Sequence, residues 1–358
     1  MTTIAQVDAR RVTGGVDTHK DLHVAAALDE LGRLLGTCSF PTTRPGYRRL
    51  LRWLRSFGEL DAVGVEGTGS WGAGLARFLA ERDVRVVEVN RPNRQERRRR
   101  GKSDTIDAEA AARAVLGGQA TGVPKAGTGA VEAVRQLRIA RSGAMKARTA
   151  AANQLHSLRD TAPDGVRSKL AGLTAKQMVA LVERWRPSAT TAGVDEAAKR
   201  AIVTVARRWR ALDGEAKELT VHIKQLLDSV AADLVACHGV GYDTAGQLLV
   251  TAGDNPDRLR NERSFAALCG SSPVTASSGR TNRHRLNRGG DRQANAALWR
   301  IVVVRMGSHQ PTKDYVARRT GEGLSKPEIM RCLKRYVARE LYPLIRAITA
   351  VQELESAA

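Results

Sequence analysis

The order of strand and helix patterns in the first third of the chain is the feature that most limits its fold. Three strand-like stretches come first, RVTGGVD, LHVAAALD and RLLGTCSF, and residues 44–57 then carry an amphipathic helix pattern. DAVGVEG predicts a fourth strand, residues 70–82 a helix, VRVVEVN a fifth strand, and a helix begins near Asp104. This order predicts an α/β domain of the ribonuclease-H-like kind over residues 10–120.

The middle of the chain, residues 121–232, is predicted to be a linker and a coiled-coil region. Glycine-rich residues 116–130 break the α/β pattern, and a long helix should follow until the sequence APDG at 162–165. A second long helix carries an apolar residue at alternating spacings of three and four. The members of this seam are Ile202, Val205, Trp209, Leu212, Ala216, Leu219, Ile223, Leu226 and Val230. The seam predicts either self-association or a helical hairpin within one chain.

The last segment, residues 233–350, is predicted to be mostly helical, and it begins with a glycine turn between two short helix patterns. LVACHGVGYDTAGQLLV predicts a helix, a turn at Gly239 and Gly241, and a second helix from near Asp243. This is the pattern of a helix-hairpin-helix element, in which backbone N–H groups of the turn contact a phosphate. A tight pair of helices without a ligand is the alternative.

The charge balance favours a polyanionic partner. The 358 residues include 58 lysines and arginines against 37 acids, a formal net charge of +21, and 42 % of the residues are hydrophobic. We expect a globular nucleic-acid-binding protein, although a G+C-rich genome also raises arginine content. No apolar stretch approaches a membrane span, so a cytoplasmic location is expected. The four cysteines are widely spaced, which predicts neither disulfides nor zinc.

Four acids fall at ends of predicted elements. Asp17 ends the first strand, Glu66 ends the fourth, and Asp104 and Asp107 open the helix after the fifth. Strand ends and helix starts of an α/β sheet share one edge, so these carboxylates should meet there and bind Mg²⁺. Separately, each acid has a simpler explanation: Asp104 and Asp107 as helix-capping residues, Asp17 as a strand-end acid, and Glu66 as a partner of a glycine turn. Nearby His19, Lys20 and Asp21 are candidates to assist these acids, but they are interpreted mainly as exposed turn residues.

The sequence blocks around these acids resemble a known family. GVDTHKD, VEGTGSWG and KSDTIDAEAAAR are similar to the blocks of the bacterial insertion-sequence transposases of family one hundred and ten (IS110), and the resemblance covers roughly residues 10–345. It implies a RuvC-like domain whose catalytic, metal-binding acid set is Asp17, Glu66, Asp104 and Asp107. The cofactor it implies is Mg²⁺.

A second block, SSPVTASSGRTNRHRLNRGGDRQANAALWR at residues 271–300, resembles the family's transposase domain. The resemblance implies that the catalytic serine is Ser278, although its neighbour Ser277 stays open. The residues fit that role, because a serine that attacks a phosphodiester needs nearby positive charge. That charge is supplied by Arg280, Arg283, His284, Arg285 and Arg288. The alternative is a basic loop that only grips nucleic acid. Asp291 and Gln293 depart from the more uniformly basic pattern expected here.

The resemblance implies a recombinase that excises and inserts its own element, with its serine linked transiently to a DNA 5′ phosphate. It also implies DNA and a non-coding bridge RNA as partners. The coiled-coil pattern suggests dimers at least, and exchange between four DNA ends suggests a tetramer during the reaction. A basic run beside the acids is predicted to hold a phosphate backbone: Arg91, Arg94, Arg97, Arg98, Arg99, Arg100 and Lys102. Two other classes stay open, a hydrolytic RuvC-like nuclease or junction resolvase, and a non-catalytic nucleic-acid-binding protein.

Overall fold

A five-stranded sheet forms from the first third of the chain in the computed structural model. Its strands are β1 (Arg11–Thr18), β2 (Leu22–Asp29), β3 (Leu34–Pro41), β4 (Glu59–Glu66) and β5 (Val86–Val89). The strand order is β3-β2-β1-β4-β5. β2 is antiparallel to both β1 and β3, whereas β4 is parallel to both β1 and β5. This mixed sheet is compatible with the predicted ribonuclease-H-like fold.

The structure describes residues 10–89, 103–188, 190, 193–255, 258–277, 279 and 284–357. These residues form two units. The first contains the described residues up to Gly129, residues 252–265 and the C-terminal residues from Thr349, and the second contains residues 130–251 and 266–348. The predicted domain boundaries at residues 120 and 232 stay predictions. No described helix combines the length and the apolar character needed to cross a membrane.

Helices α1 (Arg44–Arg55), α2 (Ala73–Ala80) and α3 (Asp104–Leu116) accompany the sheet in the first unit. α1 begins where its sequence allows a cap, since the Thr43 hydroxyl oxygen accepts a hydrogen bond from the Gly46 N–H at 3.2 Å. Its apolar face is fully buried in the same cluster as strand residues such as Val16 and Val65. Burial of each such side chain stabilises the fold by roughly 1.5–3 kcal/mol.

Glycines let α3 lie unusually close to the sheet. Consecutive strand residues point to opposite faces, so Gly14 faces α1 and Gly15 faces α3. A Cβ atom at Gly15 would lie 2.2 Å from the Ala108 carbonyl oxygen, and one at Gly64 would lie 2.8 Å from the Ala111 carbonyl oxygen. Because glycine has no Cβ atom, the backbone of α3 packs directly against β1 and β4 at these two positions. This packing holds the first turn of α3 beside the carboxyl ends of the two strands.

Two long helices dominate the first half of the second unit, α4 (Ala130–Thr161) and α7 (Val194–Val230). They run antiparallel, as shown by the pairs Gln154 with Arg208, Arg148 with Asp213, and Arg141 with Thr220. Short helices α5 (Asp164–Leu170) and α6 (Ala175–Val182) pack between them around a common core. Every residue of the predicted seam on α7 is buried or half-buried within the chain. Coiled-coil winding and self-association stay predictions.

The remainder of the chain is largely helical, as predicted. Its elements are α8 (Ala232–Ala236), α9 (Tyr242–Ala252), α10 (Glu262–Leu268), β6 (Val274–Thr275), β7 (His284–Arg285), α11 (Arg292–Ser308), α12 (Gln310–Gly321) and α13 (Lys326–Ala357). Buried Arg305 on α11 donates two hydrogen bonds to the Glu340 carboxylate on α13, at 2.7 and 2.8 Å. This paired charge fixes the two helices against each other.

Candidate functional site

The ends of β1 and β4 bring two of the predicted acids to one edge of the sheet. Asp17 is the penultimate residue of β1 and is buried, and Glu66 is the last residue of the neighbouring parallel strand β4. The Thr18 hydroxyl donates a hydrogen bond of 2.8 Å to the Glu66 carbonyl oxygen, which ties the two strand ends together. This edge of the sheet, carrying Asp17, His19, Glu66, Asp104 and Asp107, is called the acid edge below.

The other two acids lie in the first turn of α3. Ser103, not Asp104, occupies the N-cap position, and Asp104 is the first residue of the helix. Asp104 is therefore not the N-cap residue, and the Ser103 side chain makes no capping hydrogen bond to the helix. Asp107 is buried and Asp104 is exposed. Negative side chains are favoured at a helix N-terminus, which offsets part of the repulsion between these acids.

His19 is an exposed residue of the turn between β1 and β2, as predicted, and it also contacts the acids of the acid edge. Its Nε2 atom lies 3.1 Å from Asp17 Oδ2 and 3.5 Å from Asp104 Oδ1. The signal that points to it is its spacing of two from Asp17, because alternate residues of an extended chain point to the same side. Lys20 and Asp21 are exposed, as expected.

Burial and like charges act together on Asp17. Burial raises the pKa of its carboxyl group, the nearby His19 opposes that rise, and the Asp107 and Asp104 carboxylates add to it. A cation at this edge would offset both the cost of burying the Asp17 charge and the repulsion between the carboxylates. One ligand atom each from Asp17, His19 and Asp104 lies within 4.8 Å of the others, so these residues fit a divalent ion. Among the described residues, Glu66 and Asp107 lie outside that group.

Glu88, a residue that the sequence analysis did not identify, anchors the loop after Glu66. The buried Thr68 donates a hydrogen bond of 2.8 Å to Glu88 Oε1 on β5. The other carboxylate oxygen of Glu88 lies 3.5 Å from Arg258 Nη2. Glu88 therefore positions the turn that follows Glu66, and it connects residues 252–265 to the sheet.

The predicted serine block forms a short antiparallel pair of strands, with Val274 opposite Arg285 and Thr275 opposite His284. Residues 274–288 are called the basic ribbon below. Within its described part, Ser277, Arg285 and Arg288 are exposed. The predicted nucleophile Ser278, together with Arg280 and Arg283, lies outside the described residues. The basic run from Arg91 to Arg100, with Lys102, also lies outside them.

Asp291, which departs from the basic pattern, has a structural role. Its Oδ1 atom accepts hydrogen bonds from the N–H groups of Gln293 and Ala294, at 2.7 and 3.2 Å, and so caps α11. Its other carboxylate oxygen accepts a hydrogen bond from the Thr251 hydroxyl at 2.7 Å. An acid here fixes the start of the helix that follows the basic ribbon.

The glycine turn between α8 and α9 is packed on α11. Gly239 has a φ of 79°, and a Cβ atom there would lie 3.2 Å from the Ile301 carbonyl oxygen. The Gly241 N–H donates a hydrogen bond to the Thr244 hydroxyl at 3.0 Å. The Gly241 donor is thus satisfied within the chain, and the phosphate-binding role of this turn stays a prediction.

Comparisons with known proteins match both regions. A model of the DEDD transposases of IS110 elements, described as "Transposase", matches residues 14–162, which include the whole acid edge. A model described as "Transposase IS116/IS110/IS902 family" matches residues 232–317, which include the basic ribbon. The insertion element IS110 uncharacterized 43.6 kDa protein of Streptomyces coelicolor is 28 % identical over 149 residues. That match spans 40 % of this chain and 36 % of the relative's length.

Proposed function

The chain belongs to the IS110 family of transposases, and we propose that it excises and inserts its insertion sequence by cutting and exchanging DNA strands. The observation that carries the proposal is the convergence of Asp17, Asp104 and His19 at one edge of a ribonuclease-H-like sheet. A transposase is a DNA-processing enzyme, so the scissile phosphate is the group that these side chains would serve.

The acid edge is proposed to hold Mg²⁺ through Asp17, Glu66, Asp104 and Asp107. When bound, Mg²⁺ supplies positive charge to the oxygens of a phosphate under attack. The buried Asp17 and Asp107 are fixed by the packing of α3, whereas the exposed Asp104 can face a substrate. These residues therefore orient the phosphate within a rigid frame, which is a large part of what phosphoryl transfer needs.

The basic ribbon is proposed to carry the nucleophile. The Ser278 hydroxyl would give up its proton and its oxygen would attack the phosphorus, forming a bond to the DNA 5′ phosphate. The bond to the 3′ oxygen would break, and that oxygen would take up a proton in place of the one that the serine released. Attack by a second strand's 3′ hydroxyl would then release the serine. Ser277 is the alternative nucleophile, and it is exposed.

Positive charge is proposed to hold the nucleic acids. Arg280, Arg283, Arg285 and Arg288 of the basic ribbon would neutralise charge near the serine, and the residues from Arg91 to Lys102 would grip the backbone beside the acids. The turn at Gly239 and Gly241 is proposed as a helix-hairpin-helix contact. A net charge of +21 suits two polyanions, element DNA and a guide RNA that selects sequence by base pairing.

The active assembly is proposed to be a dimer that becomes a tetramer during exchange. Four DNA ends require four sets of reacting groups, and symmetric assembly supplies them. In that assembly the acids of one subunit would act with the serine of another.

A hydrolytic RuvC-like nuclease or resolvase is the main alternative, and a non-catalytic binding protein is the second. The experiment is a strand-transfer assay with a labelled element-end DNA, Mg²⁺ and the element's flanking non-coding RNA. Asp104→Asn and Glu66→Gln should each abolish cleavage and joining. Glu109→Gln, which removes an acid of α3 paired with Arg113, should leave both intact. Full activity of the two acid-edge variants would refute the proposed enzyme.

A further inference from the structure

One donor of the acid edge is a nitrogen. The set of ligand atoms that lie within 4.8 Å of one another contains two carboxylate oxygens, from Asp17 and Asp104, and the Nε2 atom of His19. The four-acid set that defines this transposase family does not include that histidine. We propose that His19 is a direct metal ligand and that it makes the site bind Mn²⁺ more tightly than Mg²⁺. This rests on the proposed function in one respect, because it requires that the acid edge holds a divalent ion.

The distances fit adjacent ligands of one ion. His19 Nε2 lies 3.1 Å from Asp17 Oδ2 and 3.5 Å from Asp104 Oδ1. Neighbouring ligands of an octahedral ion with bonds of about 2.1 Å are about 3 Å apart. His19 Nε2 and Asp17 Oδ2 share a hydrogen bond at this distance, so the imidazole lies beside both carboxylates, and an ion would bind in place of the shared proton.

The backbone holds His19 in this position. Its N–H donates a hydrogen bond to the Leu22 carbonyl oxygen at 3.2 Å, and its own carbonyl oxygen accepts one from the Thr42 hydroxyl at 3.3 Å. The Thr42 N–H also bonds the Asp21 carbonyl oxygen at 3.0 Å. The turn between β1 and β2 is thus fixed against the end of β3. A site presented on a fixed backbone loses little entropy on binding.

The exposure of the site and the chemistry of its ligand atoms determine which ions bind most tightly. About half of the His19 side chain is exposed and Asp104 is exposed, so an ion reaches the group from solvent. Carboxylates alone suit Mg²⁺, which prefers oxygen and gives up its water reluctantly. Imidazole adds affinity for transition metals, and affinity at nitrogen-containing sites rises along that series starting from Mn²⁺. Both ions can therefore bind at this site, and the nitrogen ligand raises the affinity for Mn²⁺ above that for Mg²⁺.

The test measures binding of Mn²⁺ by electron paramagnetic resonance on the full chain without nucleic acid, with Mg²⁺ as the competitor. The wild-type chain should prefer Mn²⁺, and its bound ion should show coupling to a nitrogen nucleus in the electron spin echo. His19→Asp, which replaces the nitrogen with oxygen, should still bind both ions. Its preference for Mn²⁺ should fall by about tenfold or more, and the nitrogen coupling should vanish. His19→Ala should weaken Mn²⁺ binding, and His222→Ala, at an exposed position on α7, should change nothing.

The outcomes separate this inference from the proposed function. If Mn²⁺ binds and Asp104→Asn removes it, but His19→Asp keeps both the metal preference and the nitrogen coupling, the role of His19 is wrong and the metal site stands. If the wild-type chain binds neither ion, or Asp104→Asn binds them as well as wild type, the metal site itself fails. Thermal melting of each variant checks that it is folded.

Discussion

The acid edge and the basic ribbon place their functional side chains in opposite ways. In the acid edge, Asp17 and Asp107 are buried, and both are fixed by the contact of α3 with the glycines of the sheet. In the basic ribbon, the described residues Ser277, Arg285 and Arg288 are exposed, and they lie in or beside two strands of two residues each. The core of the protein therefore positions the acids, whereas the described side chains of the ribbon lie at its surface, where only a short strand pair supports them.

The largest effect should come from removing charge in the acid edge. Asp17→Asn should lower strand transfer by at least about 1,000-fold, since metal-assisted charge stabilisation is worth several kcal/mol. The same variant should raise the melting temperature of the metal-free protein by about 2–4 °C, because it removes a buried carboxylate beside two others. Burial raises the pKa of Asp17, so the folded protein holds this proton more tightly than the unfolded chain.

Because the pKa of Asp17 is raised, the effect of Asp17→Asn on stability should depend on pH. The gain in stability from Asp17→Asn should shrink as the pH falls through the raised pKa, because the wild-type carboxyl group is then neutral as well. Melting curves at several pH values would measure it. A variant that is both inactive and less stable at neutral pH would contradict the idea that Asp17 is kept charged for function.

The packing of α3 should be the next most sensitive feature. Gly15→Ala places a Cβ atom 2.2 Å from the Ala108 carbonyl oxygen, so it should cost about 3 kcal/mol of unfolding free energy and displace the acids. Gly69→Ala is the matched control, since no atom lies within 4 Å of the Cβ position there. Urea unfolding measures both variants. Equal stability of the two would show that close packing does not set the acid edge.

The stability of the fold should also fall with pH because of a buried histidine in the sheet. His23 is fully buried and stacked on Tyr47, with ring centroids 5.6 Å apart. Burial lowers its pKa to about 4 from 6.5, so the unfolded chain binds the proton more readily. Between pH 7 and pH 5 the protein should lose about 2 kcal/mol through this group. His23→Phe should flatten that part of the pH dependence, and an unchanged slope would mean that other groups cause it.

The smallest effects should come from the basic ribbon. Arg285→Ala and Arg288→Ala should each weaken DNA binding by less than about tenfold. Each should also reduce the slope of log affinity against log salt concentration by about the amount that one phosphate contact contributes. Neither should change the unfolding free energy by more than about 0.5 kcal/mol, because both side chains are exposed. Arg55→Ala, at an exposed position on α1, is the control. Destabilisation by the ribbon variants would break the comparison with the acid edge.

Much of the acid edge was predictable from the sequence. Apolar runs that end in G-V-D and G-V-E identify strands that stop at an acid, and the order of strands and helices limits the sheet to few arrangements. Asp17 and Glu66 then fall on neighbouring strands because β1 and β4 are adjacent in that arrangement. Local periodicity and general topology were enough for this step.

The remaining features depend on contacts that the sequence does not encode locally. His19 is an exposed turn residue, as predicted, but its contact with Asp104 joins positions 85 residues apart through the packing of α3, so local sequence does not indicate it. The seam of α7 is visible as periodicity, but a period does not identify the partner helix, which within the chain is α4. Asp291 looked like a departure from a basic pattern until its hydrogen bonds to the start of α11 were seen.

The most direct test of the account asks whether the protein becomes covalently attached to DNA in a way that depends on both regions. Labelled element-end DNA, Mg²⁺ and the flanking RNA are incubated with wild type, Ser278→Ala, Ser277→Ala and Asp104→Asn, and the products are run on a denaturing gel. The account predicts a protein–DNA band with wild type and Ser277→Ala, and none with Ser278→Ala or Asp104→Asn. Free cleaved ends formed equally by wild type and Ser278→Ala, with no such band, would contradict it and leave a hydrolytic nuclease.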